Sequence, residues 1–264
     1  MKISKIVRSD LKEITRFLQS VFISKDFTYD YLTWLYFKNP NGNVLGFNAF
    51  IEEKIVGHYA LIPLQASING RKKTILLSLN TGIDKEYRNK KLFIELAKKT
   101  FSYAIEKDYD HVIGVANANS IRGFEKYLGF EVLHNLDAII TFALPKYKKR
   151  ESFIVWDEDN INWRLSSPKT KFFTKKGYIF SSFKKIFTAI HSMREDQKNL
   201  KKKTLIPPFL VISSRKAYSF NKLFTFKLPN AFKPSPLVLI RKDLNKSEDN
   251  LDNLLITSID FDIF

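Results

Sequence analysis

The fold is indicated most clearly by residues 78–93, which read SLNTGIDKEYRNKKLF. An apolar strand ends at Ile83, a charged loop follows, and a helix begins near Lys90. A strand–loop–helix junction presents unpaired backbone N–H groups beside the positive end of the helix dipole, and such a site binds phosphate. Arg88 and Lys91 add positive charge there. The junction therefore predicts a phosphate-binding loop in a mixed α/β domain.

The elements on both sides of this loop follow the order of such a domain. Asp10 precedes an apolar helical pattern as a candidate N-cap, and Asn69-Gly70 is a favoured hairpin turn. The spacing of apolar residues predicts helices at about 11–22, 28–37, 90–107 and 120–128. It predicts strands at 2–7, 44–51, 55–68, 74–83, 111–115, 131–133 and 138–144.

The basic segment Pro145–Arg150 is the best candidate domain boundary, so we expect one domain at 1–145 and a smaller one at 151–264. In the smaller one, ordered segments predicted mostly as strands lie at 161–165, 172–174, 178–190, 209–213, 237–241 and 254–264. Glu195–Lys203 is predicted as a solvated helix or loop. Trp34 before Asn39-Pro40 is echoed by Trp163 before Ser167-Pro168. This echo raises the hypothesis that the second half is a partial repeat of the first.

The composition narrows the class of protein. With 264 residues, 44% hydrophobic and 27% charged, the chain is typical of a soluble globular protein. It has no cysteine, which excludes disulfides, thiolate nucleophiles and cysteine zinc sites. The histidines lack metal-ligand spacing, so no metal is predicted. We find no export signal and no apolar run long enough for a membrane span, and therefore expect a cytoplasmic location.

The formal net charge of +17 favours phosphate-rich partners. Nucleic acid, coenzyme A and a nucleotide-linked sugar all meet that description, and charge alone does not choose between them. The sequence lacks a Gly-x-Gly-x-x-Gly fingerprint, a Walker loop, a His-Glu-x-x-His motif and a nucleophile elbow. These absences argue against a dehydrogenase, a phosphoryl transferase and a hydrolase.

A second block, residues 114–130, reads GVANANSIRGFEKYLGF and closes a strand, forms a helix and opens a strand. Together the two blocks resemble the GNAT superfamily of N-acyltransferases, over roughly residues 1–144. Arg88 matches the family's pyrophosphate loop, usually Arg-x-x-Gly-x-Gly/Ala, while Lys91 and Phe93 replace its first glycine and its second small residue. Asn117 matches the asparagine that closes a strand in the family's later motif.

The resemblance implies the GNAT fold, with a central mixed, mostly antiparallel sheet, and coenzyme A as the carrier of the acyl group. Two strands, equivalent to 74–83 and 111–115, are expected to splay apart beside the cofactor. The implied cofactor-binding residues are Ile83, Arg88, Asn89, Lys90, Lys91, Leu92, Asn117 and Ser120. The candidate substrate-binding residues are Asn80, near the acceptor end of its strand, and Asn119. The alternative role of Asn80 is a bond to a neighbouring backbone carbonyl, and Asn119 and Ser120 are also ordinary N-capping residues.

In the general mechanism of the family, a neutral amine attacks the thioester directly in a ternary complex. Tyr127 is the candidate acid for the departing thiolate, and its alternative role is half-buried packing. His58 is the candidate base, and its alternative role is a hydrogen-bonded strand histidine. Deprotonation of the amine through water is a third alternative.

Asn119-Ser120 before the helix and Gly123-Phe124 inside it are similar to GNAT enzymes that acylate nucleotide-linked 3-amino-3,6-dideoxyhexoses for bacterial surface polysaccharides such as O-antigen. That similarity implies transfer of an acetyl or short acyl group, including 3-hydroxybutyryl, to a nucleotide-linked amino sugar. Two alternatives stay open: a GNAT enzyme acting on a protein lysine, a polyamine or an antibiotic amine, and a basic nucleic-acid-binding module. The lack of a nucleic-acid motif disfavours the module, so the expected partners are acyl-CoA and the sugar nucleotide, without nucleic acid.

Overall fold

Helices and strands alternate through the first half of the chain, as the sequence predicts. The computed structural model describes residues 1–148, 151–183, 187–193, 207–214, 217–229, 237–245 and 249–261. Its α-helices are α1 (Leu11–Phe22), α2 (Tyr29–Phe37), α3 (Leu92–Ile105), α4 (Ile121–Leu128) and α5 (Glu158–Leu165). The segment Glu195–Lys203, predicted as a solvated helix or loop, lies outside the described residues.

Strands occupy both halves of the chain. Those of the first half are β1 (Lys2–Lys5), β2 (Leu45–Ile51), β3 (Lys54–Ile68), β4 (Arg71–Ile83), β5 (His111–Ala116) and β6 (Glu131–Thr141). Those that follow are β7 (Lys146–Tyr147), β8 (Phe153–Ile154), β9 (Phe172–Lys175), β10 (Tyr178–Phe183), β11 (Phe187–Met193), β12 (Phe209–Ser214), β13 (Tyr218–Ser219), β14 (Thr225–Lys227) and β15 (Val238–Asp243).

One large sheet runs through the described part of the molecule. Its strand order is β1-β2-β3-β4-β5-β15-β6-β12-β11-β10-β9, with β8 attached to β3 and β14 attached to β6. The β4–β5 and β11–β12 pairs are parallel. The other pairs along this path are antiparallel. The sheet is therefore mixed and mostly antiparallel, which confirms the expected fold class.

The sheet continues across the expected domain boundary. Strand β15, from the second half of the chain, lies between β5 and β6 and pairs antiparallel with both. Strand β12 then pairs with the other side of β6 over Leu136–Thr141. The division into domains at 1–145 and 151–264 stays a prediction. Among the described residues, strands of the two halves pair with each other at β5–β15, β15–β6 and β6–β12.

Helices cover the two faces of the sheet, and their sequences explain which side they bury. In α1, the buried Leu11, Ile14 and Leu18 recur at intervals of three and four residues and so form one apolar stripe. These side chains belong to the same hydrophobic core as the buried Leu32 and Leu35 of α2. On the opposite face, α3 packs directly onto β3 at Gly57, where an added Cβ would lie 2.8 Å from Leu96 Cδ1. A larger residue at that position would push α3 off the sheet.

Several predicted elements differ from those observed. The two strands expected at 131–133 and 138–144 form the single strand β6, which ends at Thr141. They merge because the residues between them pair with β15 and β12. Segment 178–190 divides into β10 and β11. Residues 161–165, grouped with the strands, belong to helix α5. Its start is fixed by Asp157, whose side chain accepts the backbone N–H of Asn160.

The echoed tryptophans contact each other. The Trp34 indole Nε1 donates to the Trp163 carbonyl at 2.8 Å, and the Trp163 Nε1 donates to the Trp34 carbonyl at 3.2 Å. Their rings stack with centroids 4.8 Å apart. This reciprocal contact joins α2 to α5. The hypothesis of a partial repeat stays a prediction.

We predict that Trp163→Ala lowers the free energy of unfolding by about 3–5 kcal/mol, because it empties a buried aromatic site and removes the Trp163 indole donor. Asn162→Ala, at an exposed position of the same helix, is the control and should change it by less than about 0.5 kcal/mol. Urea unfolding followed by circular dichroism measures both. Equal effects of the two variants would contradict a stabilising role for the tryptophan pair.

Candidate functional site

An opening lies between β4 and β5. Their parallel pairing comprises Leu76↔Val112, Leu77↔Ile113 and Ser78↔Gly114 and then stops. Strand β4 continues to Ile83 along β3 alone, and β5 continues to Ala116 along β15 alone. The backbone edges that face each other beyond Ser78 are therefore available to a ligand. This is the splayed arrangement expected from the sequence.

A β-bulge distorts β4 at the inner end of the opening. The pairing with β3 passes from His58↔Gly82 to Ala60↔Leu79, so β4 carries an extra residue there. Asn80, within the bulge, has a φ of +52°, a left-handed conformation that asparagine tolerates better than most residues. The side chain of Asn80 is consequently directed toward α2, where its Nδ2 donates to the Tyr36 hydroxyl at 3.1 Å.

The next residue also presents a polar group. Thr81 Oγ1 is buried and has no hydrogen-bond partner among the described residues. A buried hydroxyl without a partner is costly, and native structures usually supply one. Thr81 lies on the part of β4 that pairs with β3 alone, and its hydroxyl has essentially no surface open to solvent. No sequence pattern indicates this hydroxyl, because the burial of a single strand threonine has no periodicity.

The charged loop connects β4 to α3 at the outer end of the opening. A 3-10 helix, Lys85–Lys90, follows Asp84, whose side chain accepts the Glu86 N–H. Arg88 is exposed, and its Nε donates to the Ile83 carbonyl at 3.2 Å. The side chains of Asn89 and Lys90 lie outside the described part of the chain. Arg88 thus stabilises the end of β4 through this hydrogen bond and places its positive charge at the loop.

The residue that replaces the motif's first glycine keeps a glycine-like backbone. Lys91 has a φ of +56° and immediately precedes Leu92, the first residue of α3. Its carbonyl accepts the N–H groups of Ile94 and Glu95, so the amides that precede these two begin the helix without intrahelical acceptors. The turn therefore keeps its backbone conformation without the glycine, and the left-handed conformation of Lys91 adds some backbone strain.

Phe93, which replaces the second small residue, joins the two helices of this face. Its ring lies 5.6 Å from the Phe124 ring and 6.0 Å from the Tyr59 ring. A Cβ added at Gly123 of α4 would lie 3.6 Å from Phe93 Cε1. The aromatic substitution in the loop is thus matched by a glycine on the facing helix.

The second motif block forms the turn that starts α4. Asn117 Oδ1 accepts the backbone N–H groups of Asn119 at 3.0 Å and Ser120 at 3.1 Å. Ser120 Oγ accepts the N–H of Asn117 at 3.1 Å. Asn117 and Asn119 are exposed and Ser120 is half-buried. Asn117 and Ser120 therefore shape the turn, and ligand contacts by these three residues stay predictions.

His58 and Asn80 belong to one chain of hydrogen bonds. The Tyr36 hydroxyl lies 3.0 Å from His58 Nε2, and His58 Nδ1 lies 2.7 Å from Asn48 Oδ1. Asn48 Nδ2 donates to Asp10 Oδ2 at 3.0 Å. The Asp10 side chain makes no cap for α1, contrary to its expected role, because its carboxylate accepts from Asn48 and from a backbone N–H instead. Tyr36, Asn48 and Asp10 were not expected as members of the site.

The environment of His58 is that of the hydrogen-bonded strand histidine. It is fully buried, and both ring nitrogens are hydrogen-bonded. Burial lowers the pKa of His58 to about 3, so the ring is neutral at physiological pH. A base must be able to hold a proton near the working pH. We therefore do not assign the base to His58.

Tyr127 lies on the outer part of α4. Its side chain is half exposed, and the Lys126 ammonium lies 5.5 Å from the centre of its ring. Phe124 is the residue of this helix that reaches the aromatic core. The role of Tyr127 as the acid stays a prediction.

Within the ranges given above, no group of three or more histidine, aspartate or glutamate residues is arranged to hold a metal ion. No helix among the same residues is long and apolar enough to cross a membrane.

We predict that His58→Gln flattens the pH dependence of stability. The native protein keeps His58 neutral, whereas the unfolded chain protonates it below about pH 6.5. The stability that depends on neutral His58 is present above that pH and is lost as the pH falls toward 3. Between pH 4 and 6, the free energy of unfolding should therefore fall in the wild type by about 1.4 kcal/mol per pH unit more than in the variant.

Urea unfolding at intervals of half a pH unit measures this difference. The other titrating groups are common to both proteins and cancel in the comparison. Equal pH slopes for the wild type and the variant would show that His58 gains its proton over the same pH range in the folded and the unfolded protein.

Comparisons with known proteins place this geometry in a family. The model for the acetyltransferase (GNAT) domain matches residues 2–133, half of the chain. A search of curated protein sequences found no match.

Solved structures share the fold. A GCN5-related N-acetyltransferase from Anabaena variabilis superposes with a TM-score of 0.60 and 14% identity, over 92% of this chain and 73% of that one. A probable N-acyltransferase from Enterococcus faecalis gives 0.61 and 11%, over 92% and 72%. N-myristoyltransferase from Saccharomyces cerevisiae gives 0.52 and 12%, over 74% and 62%. With the family match over residues 2–133, the chain belongs to the GNAT family of acyl-CoA-dependent N-acetyltransferases.

Proposed function

We propose that the protein transfers an acetyl or short acyl group from coenzyme A to the primary amine of a nucleotide-linked amino sugar. The observation that carries the proposal is the opening between β4 and β5, along which the two strands are not paired with each other. The exposed start of α3 and the Arg88 charge lie at its outer end. One elongated ligand with a phosphate group at one end suits these features.

The residues of the loop would hold the pyrophosphate of acyl-CoA. Backbone N–H groups at Lys91 and Leu92 lie beside the positive end of the α3 dipole, and Arg88 supplies a guanidinium. Ile83, where β4 ends, would line the arm of the cofactor. The backbone edges that β4 and β5 turn toward each other beyond Ser78 would bond the amides of that arm. The yeast N-myristoyltransferase that shares the fold was solved with bound myristoyl-CoA, which supports an acyl-CoA as the ligand.

The reaction requires little covalent chemistry from the protein. Acyl-CoA supplies an activated thioester as co-substrate. The nitrogen of a neutral amine forms the new C–N bond, the C–S bond breaks, and the thiolate leaves with the electron pair. The ammonium proton passes to water or to a base, and an acid such as Tyr127 protonates the thiolate. The main contribution of the site is to hold the two reactants together in the correct orientation.

The acceptor is proposed from charge and from the motif around α4. The net charge of +17 suits a ligand that carries a diphosphate. The block Asn119–Phe124 is similar to that of the enzymes that acylate amino sugars. A protein lysine, a polyamine or an antibiotic amine would not need the diphosphate, so an acceptor panel separates these substrates.

We expect release of free thiol from acetyl-CoA or 3-hydroxybutyryl-CoA when the protein is given a dTDP- or UDP-linked amino sugar. The panel should also contain spermidine, an aminoglycoside and a lysine peptide. Turnover with the sugar nucleotides supports the proposal. Turnover only with the other amines would keep the acyltransferase and reject the sugar. If the protein bound acyl-CoA without acylating any amine, the proposed function would be wrong.

We predict that Arg88→Glu weakens acyl-CoA binding by roughly 10- to 100-fold, because it replaces a charge-assisted contact with repulsion. Arg88→Gln keeps a donor that can reach the Ile83 carbonyl and should have a smaller effect. Lys99→Glu makes the same change of charge at an exposed position further along α3 and should leave binding unchanged. Isothermal titration calorimetry measures all three. Equal weakening by Lys99→Glu would indicate only a general effect of charge.

A further inference from the structure

A buried chain of polar side chains connects the bulge in β4 to the surface beside α1. It consists of Asp10, Asn48, His58, Tyr36 and Asn80, which come from five separate elements. Asn48, His58 and Tyr36 are completely buried. An amide, an imidazole and a phenol are costly to bury unless each is hydrogen-bonded, and each of these three makes two such bonds.

The donors and acceptors of this chain run in one direction only. A carboxylate accepts and does not donate, so Asn48 must direct its NH₂ to Asp10 and its oxygen to His58. His58 Nδ1 must then carry the ring proton, because it faces an amide oxygen. His58 Nε2 is left as an acceptor.

The directions of the hydrogen bonds at Tyr36 and Asn80 follow from His58. The Tyr36 hydroxyl must donate to His58 Nε2, which leaves its oxygen to accept from Asn80 Nδ2. Burial raises the pKa of Tyr36, so the phenol keeps the proton that this bond requires. The Asn80 carboxamide therefore has its nitrogen engaged and its oxygen turned away from Tyr36.

Asn80 lies beside the opening. Asn80 lies in the bulge at the inner end of the opening and is only partly buried. No hydrogen bond reaches its Oδ1 from the part of the chain that the structure describes. The left-handed backbone of Asn80 sets the direction of the side chain, and the bond to Tyr36 sets its rotation.

We propose that Asp10, Asn48, His58 and Tyr36 are positioning residues that hold Asn80 with its carboxamide oxygen toward the opening, where it accepts an N–H of the acceptor amine. This inference rests on the proposed function and specifies the acceptor end of the same site. Asn80 touches the substrate, whereas the other four act through it.

The fixed orientation has a consequence for specificity. An oxygen that only accepts favours an acceptor with an N–H or O–H donor, and it would leave an ester or ether oxygen unpaired. A neutral amine that donates one N–H to Asn80 keeps its lone pair for attack. The arrangement binds the nucleophile without removing its proton, which agrees with the neutral state of His58.

The test uses the full chain, acetyl-CoA, and the amine from the acceptor panel that the wild type acylates fastest. Tyr36→Phe removes the anchor of Asn80, and Asn80→Gly removes the carboxamide while retaining a residue suited to positive φ. Each variant should raise the KM for the amine about tenfold and leave the KM for acetyl-CoA unchanged. Tyr178→Phe, which removes a buried hydroxyl bonded to the Pro145 carbonyl, is the matched control and should change neither.

The double variant decides whether Tyr36 acts through Asn80. If it does, Tyr36→Phe combined with Asn80→Gly should be no worse than Asn80→Gly alone. The direction of the chain is read separately from the ¹⁵N chemical shifts of His58, which should show the proton on Nδ1. A proton on Nε2, an unchanged amine KM in Asn80→Gly, or additive effects in the double variant would each overturn the inference.

Failure of the inference and of the proposed function are distinguishable. A wild type that acylates no amine overturns the proposed function and the inference together. An active wild type whose variants keep the same amine KM overturns the inference alone. Should Tyr36→Phe fail to fold, Asn80→Gly and the histidine tautomer still decide the outcome.

Discussion

The structure depends on one interruption of hydrogen bonding, the end of β4–β5 pairing at Ser78↔Gly114. A sheet normally satisfies every backbone group of its central strands, so an interruption there must be held open by the surrounding structure. On the β4 side, the extra residue at Asn80 bends the strand, and Arg88 binds its final carbonyl. On the β5 side, β15 pairs with the opposite edge of the strand as far as Ala116 and so holds β5 in place beyond Gly114. The opening is therefore built into the sheet rather than left by a loop.

Much of the fold could be predicted from the sequence because its signals are local. The apolar spacing in α1 and α3, the Asn69-Gly70 turn and the strand before the charged loop each depend on residues a few positions apart. The position of β15 could not be predicted in this way. Its partners are Ala116 and Asn135, which are remote in sequence, and nothing in its own composition identifies them.

The candidate site was predictable to the extent that it follows a motif. Arg88 and Asn117 are at the loop and at the turn where the motif places them. Tyr36, Asn48 and Asp10 were missed, because their partners lie 22, 10 and 38 residues away along the chain and follow no periodicity. His58 was noticed as a histidine, but its state depends on burial. In a solvent-filled cleft the same imidazole would suit a base, whereas here it is buried, neutral and hydrogen-bonded at both nitrogens.

The insertion of β15 between β5 and β6 has a consequence for biosynthesis. Residues 111–141 leave the ribosome long before residues 238–243, so the growing chain carries two hydrogen-bonding edges that face an empty slot. Such edges pair readily with other strands, and pairing over long sequence separations is slow. Until β15 is synthesised, the sheet of the nascent protein therefore has a gap between β5 and β6. Chaperones and aggregation would both compete for these edges until β15 pairs with them.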